Sequence, residues 1–122
     1  LHSDLGAERS AHNRIADALA LVAAPETAHV SLAGAKGSLA VGASGRAVLV
    51  FSDLPAAPTG RRYEAWVIGK SARPAGLFEG GGSTIVPLSR RVARGSTVAV
   101  TVERAAGVSQ PTRAPIISAR LS

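Results

Sequence analysis

The sequence predicts an all-β fold: an antiparallel two-sheet β-sandwich of seven or eight short strands, preceded by one N-terminal amphipathic helix. Three observations lead there. Beyond Pro25, apolar and polar residues alternate with a period of two in short runs, the repeat of a strand with one face buried. Clusters of Gly, Pro and Ser separate those runs, and these are the residues of tight turns. Before Pro25 the period is helical, with Ile15, Leu19 and Val22 at i, i+4 and i+7.

The helix is expected over residues 4–22 of the stretch SDLGAERSAHNRIADALALVAAP, with Ser3 or Asp4 as its cap and Pro25 as its stop. Its apolar stripe reads as a packing face, against the domain or against a second copy in a homodimer, rather than as a membrane-surface anchor. Strands follow near 27–33, 37–41, 46–52, 62–69, 75–79, 84–88, 96–104 and 115–121. The turns between them are GAKG, GASG, LPAAPTG, GKSARP, EGGGS, RRVARG and AAGVSQPT. Residues 1–25 thus form a helical lead-in and 26–122 a sandwich domain, whose inner faces are expected to carry Val48, Val50, Tyr63, Val67, Val98 and Val100. A small closed barrel is the alternative closure for the same strands.

With 122 residues the chain holds one modest core. One Trp, one Tyr, two Phe and no Met leave Val, Leu, Ile and Ala to build it, with Trp66 and Phe78 as its large fillers. The absence of Cys excludes disulfides, thiolate zinc sites and a cysteine nucleophile. The formal charge of +6 comes from 12 Arg and 2 Lys against 8 carboxylates, a balance that suits polyanions, lipid head groups or simply solubility. The arginines are scattered without interleaved aromatic residues, so no nucleic-acid partner is expected. The longest apolar run, Ile15 to Ala24, contains Asp17 and is half of the roughly 20 residues a membrane span needs.

No motif advertises catalysis or a cofactor. His2 and His12 lie ten apart, off a common helical face, and His29 opens a strand, so no metal site is expected. Ser44 in GASGR and Ser83 in GGGST do not complete a nucleophile elbow, and GAKGS lacks the spacing of a phosphate loop. Among the carboxylates, Glu64 and Glu103 are the two that a sheet can bring together. On strands among many arginines they are expected to form cross-strand ion pairs.

Two stretches remain, RRYEAWVIGKSARPAGLFEGG and STVAVTVERAAGVSQPT. Tyr63 and Trp66 project from opposite faces of one strand, so one belongs to the core and the other lies under a loop or across an edge. In VTVERAAGVSQPT, Val98, Val100 and Val102 share one face and Thr101 and Glu103 the other. Gly107 suits a positive φ and Pro111 ends ladder pairing, giving a strand followed by a shaped exit loop. Glu103 is expected to accept hydrogen bonds from that loop's amides or to pair with an arginine.

Together the two stretches resemble the extracytoplasmic C-terminal domain of the anti-sigma-K factor family. The matching positions are Tyr63, Trp66, Val67 and Ile68, then Ala75, Gly76, Leu77 and Phe78, then Val100 to Glu103, Ala105, Gly107, Gln110, Pro111 and Thr112. Arg104 stands where that family usually has proline, Ala106 replaces the first of two glycines, and Val108 replaces serine. The resemblance makes Tyr63, Trp66, Gly76, Phe78, Thr101, Glu103, Gly107, Pro111 and Thr112 a structural signature rather than an active site.

The resemblance also implies a regulator and not an enzyme. Its sigma factor would be bound by a cytoplasmic part outside this chain, and a transmembrane helix before Leu1 would tether the domain on the extracytoplasmic face. Membrane proteases would act near the N-terminal connector. The alternative from the residues alone is a periplasmic or secreted β-sandwich module that binds a polyanionic or glycan ligand through surface arginines.

Overall fold

A computed structural model of the chain describes residues 15–122. The expected cap at Ser3 or Asp4, the front half of the helix, His2 and His12 lie outside the described residues. A helix, α1, occupies residues 15–23 and has ended before Pro25, as proline disfavours helical geometry in the residue before it. Eight strands follow: β1 (Ala28–Ser31), β2 (Gly37–Val41), β3 (Ala47–Leu54), β4 (Arg61–Ile68), β5 (Ala72–Phe78), β6 (Gly82–Pro87), β7 (Thr97–Arg104) and β8 (Ile117–Arg120).

The strands form two four-stranded antiparallel sheets, in the orders β1-β2-β3-β6 and β5-β4-β7-β8. The two-sheet sandwich is therefore the architecture, and main-chain contacts close both of its open sides. On one side Ala33 and Ser118 exchange backbone hydrogen bonds of 2.8 and 3.0 Å between the edges of β1 and β8. On the other, the Ser89 amide donates to Ala75 O at 2.9 Å and Arg90 Nε to Pro74 O at 2.7 Å. Pro74 is tolerated there because β5 is an edge strand.

The core between the sheets is aliphatic around a short aromatic column. Phe78 stacks on Phe51 of the facing sheet with centroids 5.7 Å apart and on Tyr63 at 5.4 Å. The Tyr63 hydroxyl leaves the core to donate to Pro55 O at 2.7 Å, which satisfies its polar end. Leu39, Leu49, Val86, Val98, Val100 and Ile117 fill the surrounding space.

The phase of β3 differs from the sequence expectation. Its inward residues are Ala47, Leu49 and Phe51, while Val48 and Val50 face outward. Val48 is nevertheless buried, as is Ala40 opposite it on β2, because α1 lies across this outer face. Ala18 and Leu21 line one crevice with Val48 and Pro87. The contact face of α1 also differs from the expected stripe: Ala18 is buried, whereas Ile15 and Leu19 are 49% and 51% exposed. A close approach to a sheet favours the small Ala18 over the branched side chains beside it.

Candidate functional site: two buried carboxylates, a pinned loop and a docked helix

The residues singled out in the sequence gather on the outer face of the second sheet. β4 and β7 pair with Glu64 opposite Thr101, Arg62 opposite Glu103 and Trp66 opposite Ala99. Since side chains alternate along a strand, Glu64, Trp66, Thr101 and Glu103 all share the face that turns away from the core. Yet Glu64 is only 3% exposed, and Trp66, Thr101 and Glu103 are each 0% exposed. Tyr63 goes into the core with Phe78, whereas Trp66, expected as a large filler of that core, lies on this outer face because the odd spacing puts the two side chains on opposite faces.

The chain between β7 and β8 folds back over that face and is held there by the carboxylates. Gly107 N donates to Arg104 O at 2.8 Å to close a turn, and Arg104 Nε donates to Gly107 O at 3.1 Å. Arg104 therefore supports the bend through its side chain. Gly107 has φ of +78° and sits against Leu77 and Glu64, a backbone conformation and a close approach that a side chain would oppose. The next amide, Val108 N, donates to Glu64 Oε1 at 2.9 Å.

Glu103 anchors the second half of the loop. Thr112 donates its amide to Oε2 at 3.2 Å and its hydroxyl to Oε1. Thr101 Oγ1 donates to Oε2 at 2.7 Å and accepts from Trp66 Nε1 at 2.9 Å. The direction of this chain is fixed, because an indole only donates and an ionised carboxylate only accepts. Pro111 precedes the anchoring Thr112, while Gly76 and Phe78 lie across on β5, where Ala75 forms a bulge between the Ala65–Gly76 and Trp66–Pro74 pairs.

The two carboxyl groups titrate in opposite directions. Burial raises the pKa of Glu64, the Val108 amide lowers it, and the nearby Glu103 charge raises it, with a net upward shift. Burial also works to raise Glu103, but the hydrogen bonds from Thr112 and Thr101, together with the charge of Arg113, outweigh it and hold this carboxyl below its ordinary value. The expected cross-strand ion pairs are not formed by either group. Among the described residues the one ion pair is Arg62 Nε to Glu79 Oε1 at 3.4 Å, on the exposed surface. No buried side-chain nitrogen or oxygen among the described residues lacks a partner, and both oxygens of Glu103 and Oε1 of Glu64 accept hydrogen bonds.

Sequence reasoning found Glu103 and its loop contacts but missed the role of Glu64. The signal available was weak: a carboxylate in the alternating run Tyr63, Glu64, Ala65, Trp66, with nothing nearby to show that a segment some forty residues onward would cover it. It also missed the clasp on α1. Thr27 Oγ1 donates to Leu21 O at 2.6 Å and so satisfies a carbonyl in the last turn of the helix. A Cβ on Gly42 would come within 3.3 Å of the Leu21 side chain, so Leu21 rests almost directly on the β2–β3 backbone.

No group of three or more His, Cys, Asp or Glu among the described residues is placed to hold a metal ion. No helix among them is long and apolar enough to cross a membrane. The arrangement defines a β-sandwich domain whose buried polar groups are engaged in architecture, with a helical lead-in clasped to one sheet. The family profile described as the C-terminal domain of the anti-sigma-K factor RskA matches residues 3–116, and the chain belongs to that family. The match spans β1 to β7 and the pinned loop, so every signature residue falls within it. No curated protein and no solved structure matches the chain.

Proposed function

We propose that this chain is the extracytoplasmic regulatory domain of a single-pass membrane anti-sigma factor, and that it controls when regulated proteolysis releases the sigma factor. The sigma factor is held by a cytoplasmic part outside this chain, and a transmembrane helix before Leu1 tethers the sandwich to the outer face of the membrane. The domain itself carries out no chemistry: Glu64 and Glu103 already serve the loop that covers them.

The observation that carries this reading is the docking of α1. The connector is seated on the outer face of the first sheet through Ala18 and Leu21 and clasped by Thr27. A protease needs an extended, locally unfolded backbone, and segments held by few buried contacts open first. The docked helix therefore withholds the junction from cleavage, and a signal that loosens it exposes the junction without unfolding the sandwich. The signature residues set the rigid body against which the helix is held. The four aromatic side chains, Phe51, Tyr63, Trp66 and Phe78, are all buried, which leaves no stacking platform for a glycan and favours regulation over the carbohydrate-binding alternative.

The test is a sigma-dependent reporter in cells carrying the full-length gene product or a version truncated just before Leu1. Reporter output that changes on truncation, with a preceding stretch of about 20 apolar residues in the gene product, supports the reading. An unchanged reporter, or no such stretch, removes it.

A further inference from the structure

The charges of the described chain are divided unequally between the two ends of the sandwich. The α1 end comprises the β2–β3, β4–β5 and β6–β7 connections and the end of β8, and it carries the exposed Arg46, Lys70, Arg73, Arg91, Arg94 and Arg120. Its only described acidic side chains are Asp17 and Glu26. Among the described residues, none of these six cations forms an ion pair. At the far end Lys36, Arg61, Arg62, Arg104 and Arg113 are instead offset by the carboxylates of Asp53, Glu64, Glu79 and Glu103, and Arg62 pairs with Glu79.

The cations of the α1 end border connected grooves. One, of about 450 Å³, is lined by Arg91 and Arg94 with Gly45 and Leu121. The next, of about 290 Å³, is lined by Lys70, Arg73 and again Arg91. α1 meets the domain at this same end, next to Arg46, and presents Ile15 and Leu19 as exposed apolar side chains. Unpaired cations at the end where α1 joins the domain, with exposed aliphatic residues on that helix, suit a phospholipid interface, where the charges meet head groups and the apolar residues meet the acyl boundary. Base stacking would need exposed aromatic residues, and all four are buried.

We propose that the α1 end is a membrane-apposed surface that holds the sandwich against anionic phospholipid head groups. The inference rests on the tethered reading above, because a chain entering through α1 brings this end toward the bilayer. Its consequence is a domain standing end-on against the membrane with the α1 junction toward the lipid, so the junction is shielded by the surface as well as by its own docking.

The test uses the 122-residue chain and sedimentation with vesicles of phosphatidylcholine alone or with phosphatidylglycerol added. We expect binding only to the anionic vesicles, weakening as salt rises from about 0.05 to about 0.5 M. Each cation at such a surface contributes roughly fivefold, so Arg73→Gln, Arg91→Gln and Arg94→Gln together should lower partitioning about 100-fold. Lys36→Gln, Arg61→Gln and Arg62→Gln, which remove the same charge at the far end, should change it by less than about threefold. Emission of the buried Trp66 reports that each variant is folded. Equal losses in the two triple variants, equal binding to neutral vesicles, or retention on duplex DNA without vesicle binding would each overturn the proposal. Failure of the full-length gene product to fractionate with membranes removes the tethered reading separately, whatever the vesicles show.

Discussion

Glu103 is the residue on which the pinned loop turns. It accepts from the amide and hydroxyl of Thr112 and from Thr101 while being fully buried. Hydrogen bonds to a charged group contribute more than neutral ones, and removing the charge leaves donors facing a weaker acceptor. We expect Glu103→Gln to cost about 2–3 kcal/mol at neutral pH, measured by urea denaturation. Because its folded-state pKa is lowered, its stabilisation is complete above the pKa of an unfolded glutamate and is lost as pH falls through the folded-state value. The deficit of Glu103→Gln should therefore shrink on acidification.

Glu64 has the opposite sign. Its raised pKa means that its contribution is complete below the unfolded pKa and is lost as pH rises through the folded value. Glu64→Gln retains a carbonyl oxygen for the Val108 amide and removes a desolvated charge. It should be as stable as the parent or more stable at neutral pH, with the difference closing in acid. A Glu64→Gln variant that is less stable at neutral pH and recovers none of the difference in acid would contradict this account of the pair.

At the scale of elements, glycines mark where the backbone has no room to spare. Gly80, in the β5–β6 turn, has φ of +76°, and a Cβ there would lie 2.6 Å from Pro55 O and 3.0 Å from the Tyr63 ring. Gly107 has a similar φ but its Cβ would meet the flexible end of Leu77. Thermal denaturation should therefore separate the two: Gly80→Ala costs about 3 kcal/mol or more, and Gly107→Ala about 1–2 kcal/mol from the backbone alone. α1 is the least secured element, with two exposed aliphatic residues and one clasping hydroxyl. Brief thermolysin digestion should cut at Ile15 or Leu19 before any β loop. First cuts within the sandwich loops would mean that the helix is not the weak point.

The strands were legible because turn chemistry punctuates them: all eight expected runs coincide with observed strands to within a few residues. The phase of β3 was not legible, since Ala-Val-Leu-Val-Phe is apolar on both faces and offers no alternation to orient it. Both faces are apolar because α1 covers one and the second sheet the other. For α1 itself, Ile15, Leu19 and Val22 outrank Ala18 in hydropathy, but Ala18 has the size that permits contact with Val48. Of the candidate site, Trp66, Thr101, Glu103 and the loop to Thr112 were read together from family-like spacing. Glu64 was not, because its partner Val108 lies 44 residues away in sequence.

For the whole molecule, the sandwich acts as a rigid seat. Its open sides are sutured by Ala33–Ser118 and by Ser89 and Arg90 on β5, and its outer faces are covered by α1 on one sheet and the β7–β8 loop on the other. The loop is held by charge-assisted hydrogen bonds and the helix by a small apolar contact, so the two covers differ in how easily they lift. That difference suits a regulator whose body persists while its connector is released. The most direct measurement compares full-length protein with and without Ala18→Asp, reading the sigma-dependent reporter and the cleaved fragments while faster thermolysin cleavage at Ile15 or Leu19 than in the parent confirms that α1 has been released. A charge buried against Val48 should undock the helix, raise reporter output and accumulate fragments cut near the connector. A released helix with unchanged cleavage and an unchanged reporter would show that docking of α1 does not control the sigma factor.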